Sequence, residues 1–254
     1  MNDAIDAARD IARLDESAAS RSVRVITGCG FNPGISTAML CRWRGHDVVE
    51  VRECLRSESG EAGATALHSL LMTLATERRC LTNGAESLQR QPVIEAGAVS
   101  YESPDIDGVR RIWPAVQEFR YQVQFSGLPE RSMRTLSSRK IYKQPVVQRG
   151  LAKLLAAVAR RRAANVAEPP ASTLEVVARD QAGNTYIQRL QGAGSYDLTA
   201  FAAAQCALWM LRHRATLQGG VHTIDCVNGL GDFLLFQLQQ CAMATIDQYE
   251  QEDM

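Results

Sequence analysis

Helices are predicted wherever apolar residues recur every three to four positions along the chain. The first covers residues 3–19, where Ile5, Ala8 and Ile11 form a narrow apolar face. A helix over residues 35–44 is favoured because Pro33 suits the start of a helix and Met39, Leu40 and Trp43 share one face. The same spacing predicts further helices over residues 64–77, 145–164, 197–214 and 231–249.

Strands are predicted where β-branched and aromatic residues cluster or alternate with polar ones. Residues 23–27, 46–55 and the short segment GGVHTI fit this pattern. A β-hairpin is predicted with strands over residues 173–179 and 185–190, joined by the turn DQAGN. Residues 92–127 are rich in such side chains as well, in the segments PVIEAGAVSYE, GVRRIWP and FRYQVQFSG.

This order of elements predicts an α+β protein. Helices and strands alternate at first, and several strands, a helix, a hairpin and two helices follow. Such an order favours a mixed, largely antiparallel sheet with helices packed on it. We expect a single domain over residues 1–254, with residues 1–20 as a linking helix and residues 250–254 as a frayed tail.

Composition narrows the classes of function. The chain has 254 residues, of which 46% are hydrophobic, so it can bury a sizeable core. Lysine plus arginine and aspartate plus glutamate both number 28, and this balance argues against a nucleic-acid partner. No run of eighteen apolar residues predicts a membrane span, and the polar N-terminus has no signal-peptide core. A cytoplasmic protein is therefore expected.

The cysteines and histidines do not predict a metal site. Seven cysteines are dispersed without close pairs, which is typical of reduced thiols that fill a core. The four histidines form no HxxxH spacing, and no CxxC is present. We expect no bound metal.

The most informative stretch is the glycine-rich loop in VITGCGFNPGIST. Gly28, Gly30 and Gly34 lie between a strand and a helix, and Glu50 follows where a ribose-binding acid would stand in a dinucleotide fold. Three features count against a pyrophosphate cradle. The glycine spacing is one residue too long, Pro33 offers no N–H group, and residues 92–127 indicate consecutive strands in place of further βα units. The alternative is a tight turn from strand to helix.

A family resemblance explains the loop better. The segment LDESAASRSVRVITGCGFNPGIST resembles the start of the second domain of saccharopine dehydrogenase-like oxidoreductases, whose loop has the pattern G-x-G-F-x-P-G. Gly28, Gly30, Phe31, Pro33 and Gly34 match that pattern. The likeness continues in the small residues after the loop, in the Gly/Ser-rich segment over residues 57–65, and in GAGSYDLTAFAAAQCALWML and GGVHTI.

The resemblance implies an incomplete oxidoreductase. In that family a preceding Rossmann domain binds NAD(P), and the second domain supplies the substrate cleft and often the dimer interface. The chain begins about where the helix linking the two domains would run. We therefore expect that a partner subunit supplies NAD(P), that this chain alone binds no cofactor, and that it forms a homodimer acting on a small molecule.

The resemblance also places the site at this loop, which in the family faces the nicotinamide end of the cleft. Candidate substrate-binding residues are Cys29, Gly30, Phe31, Asn32, Pro33, Gly34 and Arg120. We single out Arg120 because it stands between Phe119 and Tyr121, which favours an inward-facing guanidinium that binds an oxyanion. Candidate acid–base residues are His222, in a short predicted strand, and Lys140 and Tyr142, which lie two positions apart in the sequence.

Three functions stay open at this stage. The favoured hypothesis is an enzyme: the substrate-binding domain of an NAD(P)-dependent oxidoreductase that takes part in biosynthesis. The second is a cofactor-independent cyclase, isomerase or dehydratase that uses His222, Lys140, Tyr142 or aspartates in the same cleft. The third is a non-catalytic dimeric binding module. The substrate is not identified by the sequence, since one fold hosts many chemistries.

Overall fold

The computed structural model describes residues 5–57, 78–89, 94–95, 97–125, 147, 149–151, 153, 157 and 171–251. The predicted helix over residues 64–77 lies outside these residues. Of the predicted helix over residues 145–164, the described residues 147, 149–151, 153 and 157 are helical.

The described elements alternate between helices and strands early in the chain. The helices are α1 (Ile5–Ala12), α2 (Asp15–Ser20), α3 (Ile35–Cys41), α4 (Asp105–Ile112), α5 (Ser195–Arg212) and α6 (Leu230–Gln240), with a 3-10 turn over Ile224–Cys226. The strands are β1 (Arg24–Ile26), β2 (Val48–Ser57), β3 (Arg78–Thr82), β4 (Ala85–Gln89), β5 (Ile94–Glu95), β6 (Ala98–Tyr101), β7 (Glu118–Phe125), β8 (Ala171–Asp180), β9 (Thr185–Ala193), β10 (Gly220–His222) and β11 (Ala244–Gln251).

Within this part of the chain the strands form two sheets. The larger has the order β11-β9-β8-β2-β7-β3-β4, and β6 pairs with both β7 and β5. Its pairs are antiparallel except for β2 with β7. The smaller sheet joins β1 to β10 in parallel. The predicted fold class, a mixed and largely antiparallel sheet with helices packed on it, is confirmed.

The predicted hairpin is confirmed as β8 and β9. Alternate side chains of β8 are buried, among them Leu174 and Val176, so one face of the sheet belongs to the core. The turn is closed by the Asp180 carboxylate, which accepts bonds of 2.9 Å from the Asn184 backbone N–H, from its side-chain amide and from the Tyr186 hydroxyl. Residues in and next to the turn therefore supply the hydrogen bonds that close it.

Helices α3, α5 and α6 supply the buried apolar side chains that meet this sheet face. Ile35 and Met39 of α3 are fully buried, as are Leu234 and Leu238 of α6. Helices α3 and α6 approach closely at Gly231 of α6, where a Cβ atom would lie 3.4 Å from the Cα atom of Ala38 in α3. This close packing fixes the position of α3, whose N-terminus carries the glycine-rich loop. In the described part of the chain, no helix is both long and apolar enough to cross a membrane.

The predicted C-terminal helix over residues 231–249 is too long. Helix α6 ends at Gln240, and Ala242 adopts a positive φ of 53° that reverses the chain. Residues 244–251 then pair antiparallel with β9, because the β9 edge offers backbone partners that an isolated helix end lacks. The predicted frayed tail is corrected accordingly, since Glu250 and Gln251 lie in this strand, while residues 252–254 are outside the described residues.

Two further predictions need correction. The segment GVRRIWP was predicted to be β-rich, but most of it forms the C-terminal part of α4. The helix predicted over residues 3–19 is interrupted at residues 13 and 14, so that α1 and α2 are separate. Both changes bear on the cavity described below, because α1 and α4 both line it.

Candidate functional site

The loop between β1 and α3 is closed by its own hydrogen bonds. The Gly30 N–H donates to the Pro33 carbonyl at 2.9 Å, and the Ile35 N–H donates to the Gly30 carbonyl at 3.0 Å. The Ser36 N–H donates to the Phe31 carbonyl at 3.2 Å. Amide groups at a helix N-terminus bind a phosphate only when they have no internal partner. Here these amides are already bonded within the chain, which favours the tight turn over the pyrophosphate cradle.

Gly34 allows the loop to fold back this tightly. Its φ of 137° is disfavoured for any residue with a side chain. A Cβ atom there would lie 2.2 Å from the Gly30 carbonyl oxygen and 2.6 Å from the Gly30 nitrogen. The loop backbone therefore leaves no room for a side chain at this position.

A cavity of about 350 Å³ lies beside the loop. Gly28, Gly30 and Pro33 form one wall, and α4 contributes Asp105 and Arg111. Mostly apolar residues of α1 and residues from β10 through the 3-10 turn complete the lining. This volume is at the lower end of that of small-molecule sites, so it suits a small metabolite.

Arg9 of α1 is held by two carboxylates at the rim of the cavity. Its guanidinium donates to Asp107 at 2.7 and 2.9 Å and to Glu86 at 2.7 and 3.2 Å. These bonds join α1 to α4 and to β4. The hydrogen bonds to Asp107 and Glu86 raise the pKa of Arg9, so its charge is permanent.

Arg111 forms the second ion pair at the cavity. Its guanidinium makes a two-point contact with Asp225, at 2.7 and 3.0 Å, and also donates to the Thr223 hydroxyl at 3.1 Å. Burial is the largest influence on the pKa of Asp225 and would raise it, but the hydrogen bonds from Arg111 and Thr223 and the charge of Arg111 together lower the pKa below its usual value. The pair joins α4 to the 3-10 turn that closes the end of the cavity.

Asp105 lines the cavity and accepts hydrogen bonds from neutral donors. The Ser36 hydroxyl donates to its carboxylate at 2.5 Å, the Asn32 side-chain amide donates at 3.0 Å, and the Thr37 hydroxyl donates as well. Among the described residues, no guanidinium or ammonium group donates a hydrogen bond to Asp105. It is therefore a buried carboxylate without a directly paired cation.

Glu53 adds a second buried carboxylate behind Asp105. The Asn32 amide donates to Glu53 Oε2 at 2.8 Å, so one amide bridges the two acids. Glu53 is completely buried, and within the described residues its Oε1 atom has no hydrogen-bond partner. Two buried acids this close resist carrying two negative charges at once.

The ionisation of both acids reflects this environment. Burial raises the pKa of Asp105 to about 6, although the hydrogen bonds from Ser36 and Thr37 oppose the rise. Burial also raises the pKa of Glu53 well above its usual range, and the nearby charge of Asp105 adds to the effect. Both carboxyl groups therefore favour the protonated form more than exposed carboxyl groups do, and Asp105 titrates near pH 6.

The predicted substrate-binding residues of the loop divide into two groups. Gly30 and Pro33 line the cavity. Phe31 is buried in the core, Asn32 belongs to the carboxylate network, and Gly34 closes the loop backbone. Cys29 is half-buried and donates to the Ile26 carbonyl at 3.5 Å.

The other predicted residues lie elsewhere. Arg120 does not face inward: its side chain is 55% exposed and pairs with Glu118 at 2.7 Å, because it points to the outer face of β7. His222 lies in a separate open groove of about 640 Å³, where its Nε2 atom is 3.0 Å from the Gln218 carbonyl oxygen. Lys140 and Tyr142 fall outside the described residues. Of the three predicted acid–base residues, His222 is therefore the one whose position the described part of the chain gives.

Sequence analysis missed Arg9 and Asp105 and did not locate Arg111 at the site. The signal for α4 was present in SPDID, since a serine followed by proline and acidic residues is typical of a helix start. The Ser103 hydroxyl does accept a bond of 3.1 Å from the Asp105 N–H. The sequence indicates no ion-pair partner for Asp225, and in the structure Asp225 forms an ion pair with Arg111.

Comparison with known proteins shows a likeness of fold and does not assign the chain to a family. No protein-family model and no curated protein sequence matches this chain. Among solved structures, the chain is similar to apo histidine-tagged saccharopine dehydrogenase (L-Glu forming) from Saccharomyces cerevisiae, with a TM-score of 0.58 and 11% identity. The match covers 94% of this chain and 77% of that chain. The expected likeness to saccharopine dehydrogenase is therefore confirmed as a distant relationship of fold.

Replacing Gly34 with alanine tests the loop geometry. We expect Gly34→Ala to lower the free energy of unfolding by at least about 3 kcal/mol, because the new Cβ atom would overlap the Gly30 backbone. Urea denaturation measures the change. Gly45→Ala is the matched control, since no heavy atom lies within 4 Å of a Cβ atom there, and it should change stability by less than about 0.5 kcal/mol. Equal effects of the two substitutions would contradict the loop geometry.

Asp105 should make stability depend on pH. Because its pKa rises to about 6 on folding, the folded protein binds this proton more tightly than the unfolded chain. The contribution of Asp105 to the free energy of unfolding is complete below about pH 4 and is lost as the pH rises through 6. This loss lowers the free energy of unfolding by on the order of 3 kcal/mol.

Asp105→Asn removes this titration. The stability of this variant relative to the natural protein should therefore increase by a similar amount between pH 4 and pH 7, as measured by urea unfolding at each pH. Asp247→Asn, at an exposed position of β11, is the matched control for the exchange of an aspartate for an asparagine. A constant difference for Asp105→Asn would show that Asp105 titrates normally.

Proposed function

We propose that this chain is the substrate-binding domain of an oxidoreductase, and that it acts on a small metabolite together with an NAD(P)-binding unit on a partner subunit. The observation that supports it most strongly is the saccharopine dehydrogenase fold over 94% of the chain, combined with a cavity walled by the glycine-rich loop. Enzyme clefts of this kind combine apolar walls with a few polar groups that fix orientation.

The loop supports the assignment of the cofactor to another unit. The first amide groups of α3 are occupied by loop carbonyls, so they do not fit a pyrophosphate. Strand β1 pairs with β10 in a two-stranded sheet, whereas a dinucleotide site needs consecutive parallel βα units. When bound at the open side of the cavity, a nicotinamide would supply hydride transfer.

Residues of this chain would bind the substrate and move a proton. The apolar residues Ala8, Ile11 and Ala12 of α1 line part of the cavity and would contact apolar parts of the substrate. Near pH 7, Asp105 exchanges readily between its acid and carboxylate forms, so it can give a proton to, or take one from, a substrate atom in the cavity. The Arg111–Asp225 pair fixes the wall against which the substrate would lie.

The same carboxylate favours a second candidate function. A buried acid whose pKa is about 6 suits general acid–base catalysis near neutral pH without any redox cofactor. The chain would then be a cyclase, isomerase or dehydratase that uses Asp105 in the same cavity. Turnover in the absence of nicotinamide would favour this candidate.

Cofactor binding and reconstitution test the leading proposal. Calorimetry of the purified chain should detect no binding of NADPH or NADH. An NAD(P)-binding polypeptide should co-purify with the tagged chain from its native cell, and the pair should oxidise NADPH in the presence of the metabolite pool of that cell. Tight stoichiometric binding of NADPH by this chain alone, or the absence of such a polypeptide, would contradict the proposal.

A cavity-filling variant ties the activity to this site. Ala8→Trp places an indole into the cavity from α1 and should reduce NADPH oxidation by the pair at least about tenfold, because it displaces the substrate. NADPH binding by the pair should not change. Ala182→Trp, in the exposed turn of the β8–β9 hairpin, should leave both properties unchanged. Full activity of Ala8→Trp would place the reaction elsewhere.

A further inference from the structure

Helix α5 is apolar on the side that faces solvent as well as on the side that faces the core. Its buried residues lie along one side and are Leu198, Ala202, Cys206 and Trp209. Between Asp197 and Arg212, the sequence LTAFAAAQCALWML contains no charged residue. A helix that packs on a core with one side normally carries charged residues on the other side. The solvent side of α5 therefore has the composition of a covered surface.

Five exposed residues form this solvent side, which we call the outer face of α5. They are Ala200, Ala204, Ala207, Leu208 and Leu211. Leu208 is 44% exposed and Leu211 is 63% exposed. A single exposed leucine is ordinary, but apolar residues that adjoin one another over several helical turns mark a surface for another protein.

Opposite charges flank the outer face. Asp197 lies at its N-terminal end and Arg212 at its C-terminal end, and both are exposed. Neither has an ion-pair partner among the described residues. Ala204 stands between them, seven positions after Asp197 and eight positions before Arg212. The outer face is thus acidic at one end, basic at the other and apolar in the middle.

Such a face is complementary to itself when a second copy runs antiparallel across it. A two-fold axis at Ala204 places Asp197 of each copy opposite Arg212 of the other, so the ion pair forms twice. The same axis places Ala200 opposite Leu208, so that a small side chain meets a large one. Size and charge therefore match in one arrangement.

The dimensions of α5 set the strength of this contact. Alanines at the centre allow two helix axes to approach to about 8 Å. The helix has 18 residues and is therefore about 27 Å long. A pair of such helices would bury on the order of 1,000 Å² in total, which is the lower limit for a specific interface. The resulting dimer would be reversible, with a dissociation constant in the micromolar range.

We propose that a second copy of this chain docks on the outer face of α5 and forms a two-fold, antiparallel helix pair. A different protein on this face would need to match both the size pattern and the two end charges, which a second copy does by symmetry. The assembly also concerns the site, because the Phe31 N–H of the glycine-rich loop donates to the Thr199 hydroxyl of α5 at 3.2 Å. The dimer would hold the helix against which this loop rests.

Sedimentation equilibrium of the full chain tests the dimer. The natural protein should sediment as a monomer and dimer in a concentration-dependent equilibrium. Ala204→Glu places two like charges at the two-fold axis, so it should raise the dissociation constant at least about 100-fold. Ala19→Glu, at an exposed alanine of α2, is the matched control and should leave the dissociation constant unchanged. Circular dichroism should show the same helix content in both variants.

Two charge variants test the antiparallel arrangement. Asp197→Arg and Arg212→Asp each oppose like charges in their own dimers, so each alone should be mostly monomeric at concentrations that give dimer in the natural protein. An equal mixture of the two should form a heterodimer, because both of its ion pairs are then attractive. Three results would overturn the proposal: a natural protein that is monomeric at all concentrations, a dimer that Ala204→Glu does not weaken, or a mixture that stays monomeric.

Discussion

The hydrogen bonds around Asn32 and Asp105 are the interaction on which the geometry of the site depends. One amide, that of Asn32, donates to Glu53 of β2 and to Asp105 of α4, and accepts from the Ser103 hydroxyl at 3.0 Å. Hydroxyls of α3 bind the same Asp105 carboxylate. Hydrogen bonds between buried polar groups restrict the relative positions of the elements that carry them. Here it joins the loop, two helices and the sheet at a single point.

This network and the loop backbone depend on each other. The loop reverses tightly enough only because Gly34 adopts a φ of 137°. That reversal carries Asn32 toward the sheet, so that its side chain serves the network while Gly30 and Pro33 remain at the cavity. The loop thus works as a structural connection on one side and as a cavity wall on the other. A glycine pattern that is similar to a nucleotide-binding motif has a different physical purpose here, since its amides bond to the chain itself.

The parts of the fold that were predicted correctly are those encoded locally. Helix α3 follows from Pro33 and the spacing of its apolar residues, and the β8–β9 hairpin follows from alternation on either side of DQAGN. Strand β11 was missed because its pairing depends on the free edge of β9, which no local pattern reveals. The site was predicted only in part for the same reason. Gly30 and Pro33 belong to a local motif, whereas Arg9 and Asp107 are 98 positions apart and Arg111 and Asp225 are 114 apart.

Charge matching explains why Asp105 is the chemically distinct group of the cavity. Both arginines of the cavity already bind carboxylates, Arg9 with Asp107 and Glu86, and Arg111 with Asp225. These ion pairs hold the walls of the cavity together. Asp105 is instead held by hydroxyls and an amide, which orient it without neutralising it. A carboxylate in such surroundings changes its protonation easily, because neither form has a fixed counter-charge in direct contact. Among the described lining residues, the ion pairs therefore provide rigidity, and Asp105 is the charged group that has no counter-charge in direct contact.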